Sequence, residues 1–244
     1  VGVFYSLAAL TTGTENTAVG KEAMCSNTTA SNNTALGSGA LKTNSTGEGN
    51  TAIGAYSLDA STTSNHNTGV GQNTLTANTT GYANTAVGYN ALCTHTTGNS
   101  NVAVGSLSLD ANTTASCNTA IGKSAMTATT TGCRNVAVGA GALKTNTEGD
   151  QNVAIGREAL GVATTADGNT AVGFDSLQAT TTGAFNTGVG RNVNFSNTTG
   201  ERNVAIGLNA AYTGTTGSCN VVIGGNAHYN ATTPSGSTIV GACA

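Results

Sequence analysis

Asn16-Thr17-Ala18-Val19-Gly20 is the stretch that decides the fold, because it returns thirteen times at a strict spacing of seventeen residues. It reads NTALG from 33, NTAIG from 50, NTGVG from 67, NTAVG from 84, NVAVG from 101 and NTAIG from 118. It continues as NVAVG from 135, NVAIG from 152, NTAVG from 169, NTGVG from 186, NVAIG from 203, NVVIG from 220 and STIVG from 237. No copy gains or loses a residue. Loop insertions cost little free energy in a folded chain, so a period that never slips means that the turns stack as closely as the strands do. That is the signature of a solenoid. The anchors predict a single continuous all-β, parallel β-solenoid (a β-roll) over residues 1–244, with about fourteen repeats. Stacked at about 4.8 Å per turn, it would run on the order of 70 Å.

With the anchor Asn as position 1, the consensus turn is N-T-A-V-G-x-x-A-L-x-x-N-T-T-G-x-x. Position 4 is always Val, Leu or Ile (Val19 and Val87 among them), and position 9 is Leu or Met in most copies. These two aliphatics are the expected core. Glycine at position 5, as at Gly20 and Gly88, and often at position 15 would break a helix. T-A-V and A-L therefore read as two short strands per turn. The invariant glycine supplies a positive φ or a close backbone approach.

Asn16, Asn33, Asn50 and Asn84 are expected to stack their amides into a ladder. Thr96 and Thr97 stand for the Thr pair at positions 13 and 14. Adjacent strand residues face opposite sides, so this pair cannot form the single two-rank Thr surface that ice binding requires, and it too reads as a ladder.

Composition narrows the function classes. Only 8% of residues are charged, the formal net charge is −3, and aromatics make up 4%. There is no run of basic residues for nucleic acid and no apolar stretch of membrane-spanning length. The charged pairs Lys21/Glu22, Arg157/Glu158 and Glu201/Arg202 fall at positions 6–7 or 16–17, where a solvated turn is expected. His66, His95 and His228 occupy different positions on distant turns, and no acidic residue recurs from turn to turn. No metal set or cofactor is expected, and an enzyme is disfavoured because catalysis needs unlike groups converging at one place. Cys25 and Cys93 share position 10 but lie four turns apart, about 19 Å, too far for a disulfide.

The pattern bends over residues 191–244. Position 9 becomes Asn194, Ala211 and His228, while position 10 carries Phe195, Tyr212 and Tyr229. That aromatic file is the one ligand-binding candidate, either as a broadened core or as a strip on which sugars stack. N-x-S/T sequons begin at Asn27, Asn32, Asn44, Asn78, Asn112, Asn194, Asn197 and Asn230.

NTAVGxxAL followed by NTTG closely resembles the repeats of phage and large-virus tail-fibre proteins and related bacterial surface fibres, across essentially the whole chain. It is similar, less closely, to the head repeats of trimeric autotransporter adhesins, which carry an Asn-x-x-Ala-Ile-Gly-like motif in a shorter turn. The resemblance implies an extracellular, virion or cell-surface fibre. Its partners would be further copies of the chain, as a homotrimer, and a host-surface glycan or receptor. Small residues at positions 3 and 8 suit close approach of a second chain, and two aliphatics per turn make a thin core for a lone coil. A filament built end to end is the alternative; an ice-binding solenoid ranks below both.

Overall fold

The computed structural model describes residues 5–230 and 235–243; positions 231–234 and 244 of the divergent C-terminal stretch lie outside the described residues. The chain divides into two compact units, Val1–Asn118 and Thr119–Ala244, and both are parallel β-solenoids with seventeen-residue turns.

The first unit carries β1 (Thr17–Val19), β2 (Thr34–Leu36), β3 (Thr51–Ile53), β4 (Thr68–Val70), β5 (Thr85–Val87) and β6 (Val102–Val104). The second carries β7 (Thr119–Ile121), β8 (Val136–Val138), β9 (Val153–Ile155), β10 (Thr170–Val172), β11 (Thr187–Val189), β12 (Val204–Ile206), β13 (Val221–Ile223) and β14 (Thr238–Val240). Within each unit every strand pairs in parallel with the next, and each residue faces its own repeat equivalent, as in Thr34↔Thr51, Ala35↔Ala52, Leu36↔Ile53. The boundary between units falls inside the anchor NTAIG that begins at 118, after its Asn, and the seventeen-residue spacing of the sequence runs through it.

Two expectations need correction. The first is the second strand. Among the described residues each turn has one three-residue strand, and the A-L segment is a turn. Its residues at positions 7 and 9 sit in the left-handed region, for example Tyr56 (φ 58°) and Leu58 (φ 53°), and so does position 17, as at His66 (φ 57°). Alternating hand bends the chain sharply where a strand would run straight. A left-handed conformation costs a non-glycine residue roughly 1–2 kcal/mol. The position-9 leucines tolerate it because they are the core: Leu41, Leu58, Leu75, Leu92, Leu109, Leu143, Leu160 and Leu177 have no exposed surface.

The second correction is the direction of the position-4 aliphatic. A three-residue strand points its middle residue one way and its flanks the other. Here the middle residue is inside: Ala35, Ala52, Ala86, Ala103, Ala120 and Ala137 are fully buried. Val19 is 42% exposed, Leu36 47% and Ile121 41%. The lumen is filled from one side by Leu or Met at position 9. It leaves room for only Ala or Gly at position 3 and a small residue at position 8, such as Ala40 or Ala91. Val19 and Val87 are therefore wall residues, not core.

The expected ladders form. In the middle of the first unit, Asn84 Nδ2 donates to Asn67 Oδ1 (3.2 Å) and to the Gly98 carbonyl (3.0 Å). Its Oδ1 accepts from the Asn101 amide N–H (3.0 Å) and from Asn101 Nδ2 (3.1 Å). Asn50 repeats this pattern. Asn33 accepts in the same way but its Nδ2 donates to Ser31 O and Gly47 O, and Asn16 donates to Ala30 O and accepts from Asn33 N. At position 13 Thr hydroxyls donate to the main-chain carbonyl one turn on within each unit, as in Thr96 Oγ1 to Thr113 O (2.9 Å) and Thr164 Oγ1 to Thr181 O (3.2 Å). Thr97 at position 14 faces solvent. Main-chain bonds between turns continue outside the strands, as in Leu92 N to Ser108 O (3.0 Å) and Ser100 N to Tyr82 O (3.1 Å). Within each unit each turn is thus tied to the next around its circumference, which explains why no insertion is accommodated.

Candidate functional site

The feature with the clearest functional bearing is the outer face of the strands. Positions 2 and 4 both point outward, giving two parallel ranks along each unit. Position 4 is aliphatic in all fourteen strands; position 2 is Thr in nine and Val in five. Neither rank contains a charge. Ile53, Ile155, Val189, Ile206 and Ile223 are each more than a third exposed. This face was not legible as a surface from the sequence, because an invariant aliphatic reads first as core.

The second candidate is the aromatic file. Phe195 and Tyr212 stack with ring centroids 5.2 Å apart and planes 6° apart; Tyr212 and Tyr229 do so at 4.9 Å and 3°. The rings therefore cover one another's faces. A pyranose stacks on a free aromatic face, and between these turns none is free. Beneath them the core changes hands. Asn194, Ala211 and His228 replace the filling leucine, and larger residues appear opposite: Val193 at position 8, Val222 and Ile239 at position 3. The exchange is incomplete. A cavity of about 20 Å³, lined in part by Asn194, Ala211, Gly214, Val222 and His228, remains in the core, and the buried Asn194 Nδ2 has no hydrogen-bond partner. A space of this size has room for no more than a single water; it is too small for a sugar.

His95 stands at position 12, where neighbouring turns carry Asn. In those turns the amide closes a tight bend: Asn78 Oδ1 accepts from Gly81 N (3.0 Å) and its Nδ2 donates to Gly81 O (3.0 Å). The His95 ring imitates half of this, with Nε2 2.7 Å from Gly98 O. Its Nδ1 lies 3.3 Å from Asn112 Oδ1, an oxygen that already accepts from Ala115 N. Both ring partners are acceptors, so a neutral imidazole serves only one of them. Burial holds the ring's pKa below its ordinary value, against the opposing pull of the bonds to Gly98 and Asn112.

The unfolded chain takes up a proton near pH 6.5, and the folded ring resists it to lower pH. Stability is therefore full above the unfolded value and falls as the pH drops toward the folded one. The melting temperature is expected to fall by a few degrees between pH 8 and pH 5. His95→Asn, which restores the local consensus, should abolish that part of the dependence. Calorimetric scans of both proteins at each pH check it.

Other titratable groups are dispersed. Asp59 and Asp110 have carboxyl pKa values raised by burial, and each has an unpaired buried Oδ1. They share position 10 three turns apart, about 14 Å, and do not act as a pair. Cys25 and Cys93 are half-buried, their thiols donating to carbonyls one turn on, Lys42 O and Asp110 O, at 3.6 Å. Among the described residues no three His, Cys, Asp or Glu side chains gather as a metal set. No helix of the described residues is long and apolar enough to cross a membrane.

Most sequons are closed to modification in the fold. Asn27, Asn44, Asn78, Asn112, Asn194 and Asn197 are buried, whereas Asn32 and Asn230 are exposed. Comparison with protein families, with curated proteins and with solved structures found no match to this chain.

Proposed function

We propose that this chain is a structural and adhesive segment of an extracellular or virion fibre, such as a tail-fibre shaft or a surface adhesin, and that copies associate side by side as a homotrimer. The observation that carries this is the outward aliphatic file at position 4. Soluble surfaces scatter apolar residues singly, and contiguous apolar patches mark interaction sites. Here one aliphatic per turn repeats without a charge beside it on the strand. Closed rotational symmetry would turn these faces toward a common axis and remove them from water. A second support is the uniformity of the strands, which present the same two outward ranks on every turn, as suits a scaffold. The resemblance of the repeats to tail-fibre and adhesin sequences points the same way.

Electron microscopy of the purified protein separates this from the filament alternative. Discrete particles of one length support the fibre segment; open filaments of unlimited length refute it in favour of end-to-end assembly. Ice binding gains one specific observation. Although the Thr pair at positions 13 and 14 is divided between a ladder and the surface, positions 2 and 4 do give two parallel ranks of Thr and aliphatics. Thermal hysteresis in solution would support that second reading, and its absence would remove it.

A further inference from the structure

Three cations recur at position 6 on alternate turns of the second unit: Lys123, Arg157 and Arg191, each thirty-four residues after the last. All three side chains are exposed. Two turns advance about 10 Å, so the row has a regular pitch. The turns between are built differently. Ala140 and Gly141 are small and leave a surface groove of about 240 Å³ lined by Lys123, Ser124, Lys144 and Glu158. On the next intervening turn Phe174 fills the gap, with the guanidinium carbons of Arg157 and Arg191 each 5.4 Å from its ring centroid. Stacking on an aromatic ring fixes the plane of a guanidinium while leaving its N–H edge free to bind an anion. Among the described residues neither arginine has a carboxylate within ion-pair distance. The Asp175 carboxyl is close enough to feel both guanidinium charges but pairs with neither, so the two cations are held in place and only partly offset.

We propose that Lys123, Arg157 and Arg191 form a docking rail for a linear acidic polysaccharide bearing one carboxylate or sulfate per disaccharide. The proposal rests on the adhesive half of the function proposed above and names the ligand class and the residues. The pitch of two turns is about the length of two linked pyranose rings in an extended glycan. A nucleic-acid duplex carries one negative charge per about 1.7 Å of its axis, far denser than one cation every two turns. Glu158 and Asp175 lie at position 7 beside the rail. They repel a densely charged polymer and are compatible with one whose charges fall only at the cations. The groove over Ala140 and Gly141 admits the uncharged sugar between the first two charges, and Lys144 on its rim donates to hydroxyls.

The test is calorimetric titration of the purified full chain at low ionic strength with hyaluronan oligosaccharides, which carry one carboxylate per disaccharide. Binding should weaken steeply as salt is raised. Arg157→Gln combined with Arg191→Gln should lower the affinity at least tenfold, while Glu158→Gln should raise it. Chitin oligosaccharides, of similar length but uncharged, should not compete. An unchanged affinity in the double arginine variant overturns the proposal. So does the absence of binding by the natural chain, or equal or tighter binding of oligodeoxythymidylate, which would mark the row as a nucleic-acid surface. Sedimentation of the same samples keeps the two proposals apart: a trimer that ignores hyaluronan defeats the rail alone, and a monomer that binds it defeats the assembly alone.

Discussion

Gly88→Ala is expected to destabilise the first unit by about 3–5 kcal/mol, although it adds a single methyl group. Two penalties act together. Gly88 has φ +125°, a conformation that L side chains rarely adopt. A Cβ there would also stand 2.7 Å from the carbonyl carbon of Gly105 and 2.8 Å from its oxygen. Both are backbone atoms of the next turn, tied in place by the Gly105 N–H bond to Val87 O (2.8 Å) and so unable to swing aside. Gly225→Ala is the matched control. Gly225 has no heavy atom within 4 Å of the added carbon, and its replacement should change stability by no more than about 0.5 kcal/mol. Urea unfolding followed by circular dichroism reads both. Similar midpoints for the two variants would show that the turns do not pack as described.

Asn84→Ala is expected to cost about 3–5 kcal/mol, the second large effect. The side chain makes four buried hydrogen bonds, to Asn67, to Gly98 and twice to Asn101. Truncation orphans the buried Asn101 N–H, leaves the Gly98 carbonyl with the His95 ring alone and opens a void in the lumen; an orphaned buried group by itself forfeits roughly 1–3 kcal/mol. Asn84→Asp keeps the shape and reverses the chemistry. Its carboxylate would face the Asn67 oxygen and the Gly98 carbonyl, both acceptors, so ionisation is opposed and the folded pKa rises above the unfolded value. Its defect should be largest at neutral pH and shrink on acidification, the opposite sense to His95. Unfolding midpoints at pH 7 and pH 4 distinguish the two variants.

The period, the parallel register, the Asn and Thr ladders and the role of the invariant glycine were legible in the sequence, because each follows from identical residues meeting their own copies. The direction of the strand was not. In T-A-V the hydrophobic residue is at the end and the small one in the middle, and a three-residue strand has too little alternation to say which faces inward. Hydrophobicity favours Val inside; the lumen, already filled by leucine from position 9, accepts only Ala. The second strand was misread for a related reason. A leucine with φ near +50° carries no propensity signal, and its hand is imposed by stacking and full burial. Of the candidate site, the aromatic file could be read but not its self-stacking. The cation row was hidden because its members lie thirty-four residues apart and line up only once the coil is drawn.

Sedimentation equilibrium of the natural chain beside the Val87→Asp/Val104→Asp double variant tests the central claim most directly, since both side chains lie on the outward rank of the first unit and neither fills the core. The account predicts a homotrimer for the natural chain, and for the variant a monomer with an unchanged circular dichroism spectrum. A natural chain that sediments as a stable folded monomer, or a variant that remains trimeric, would contradict it.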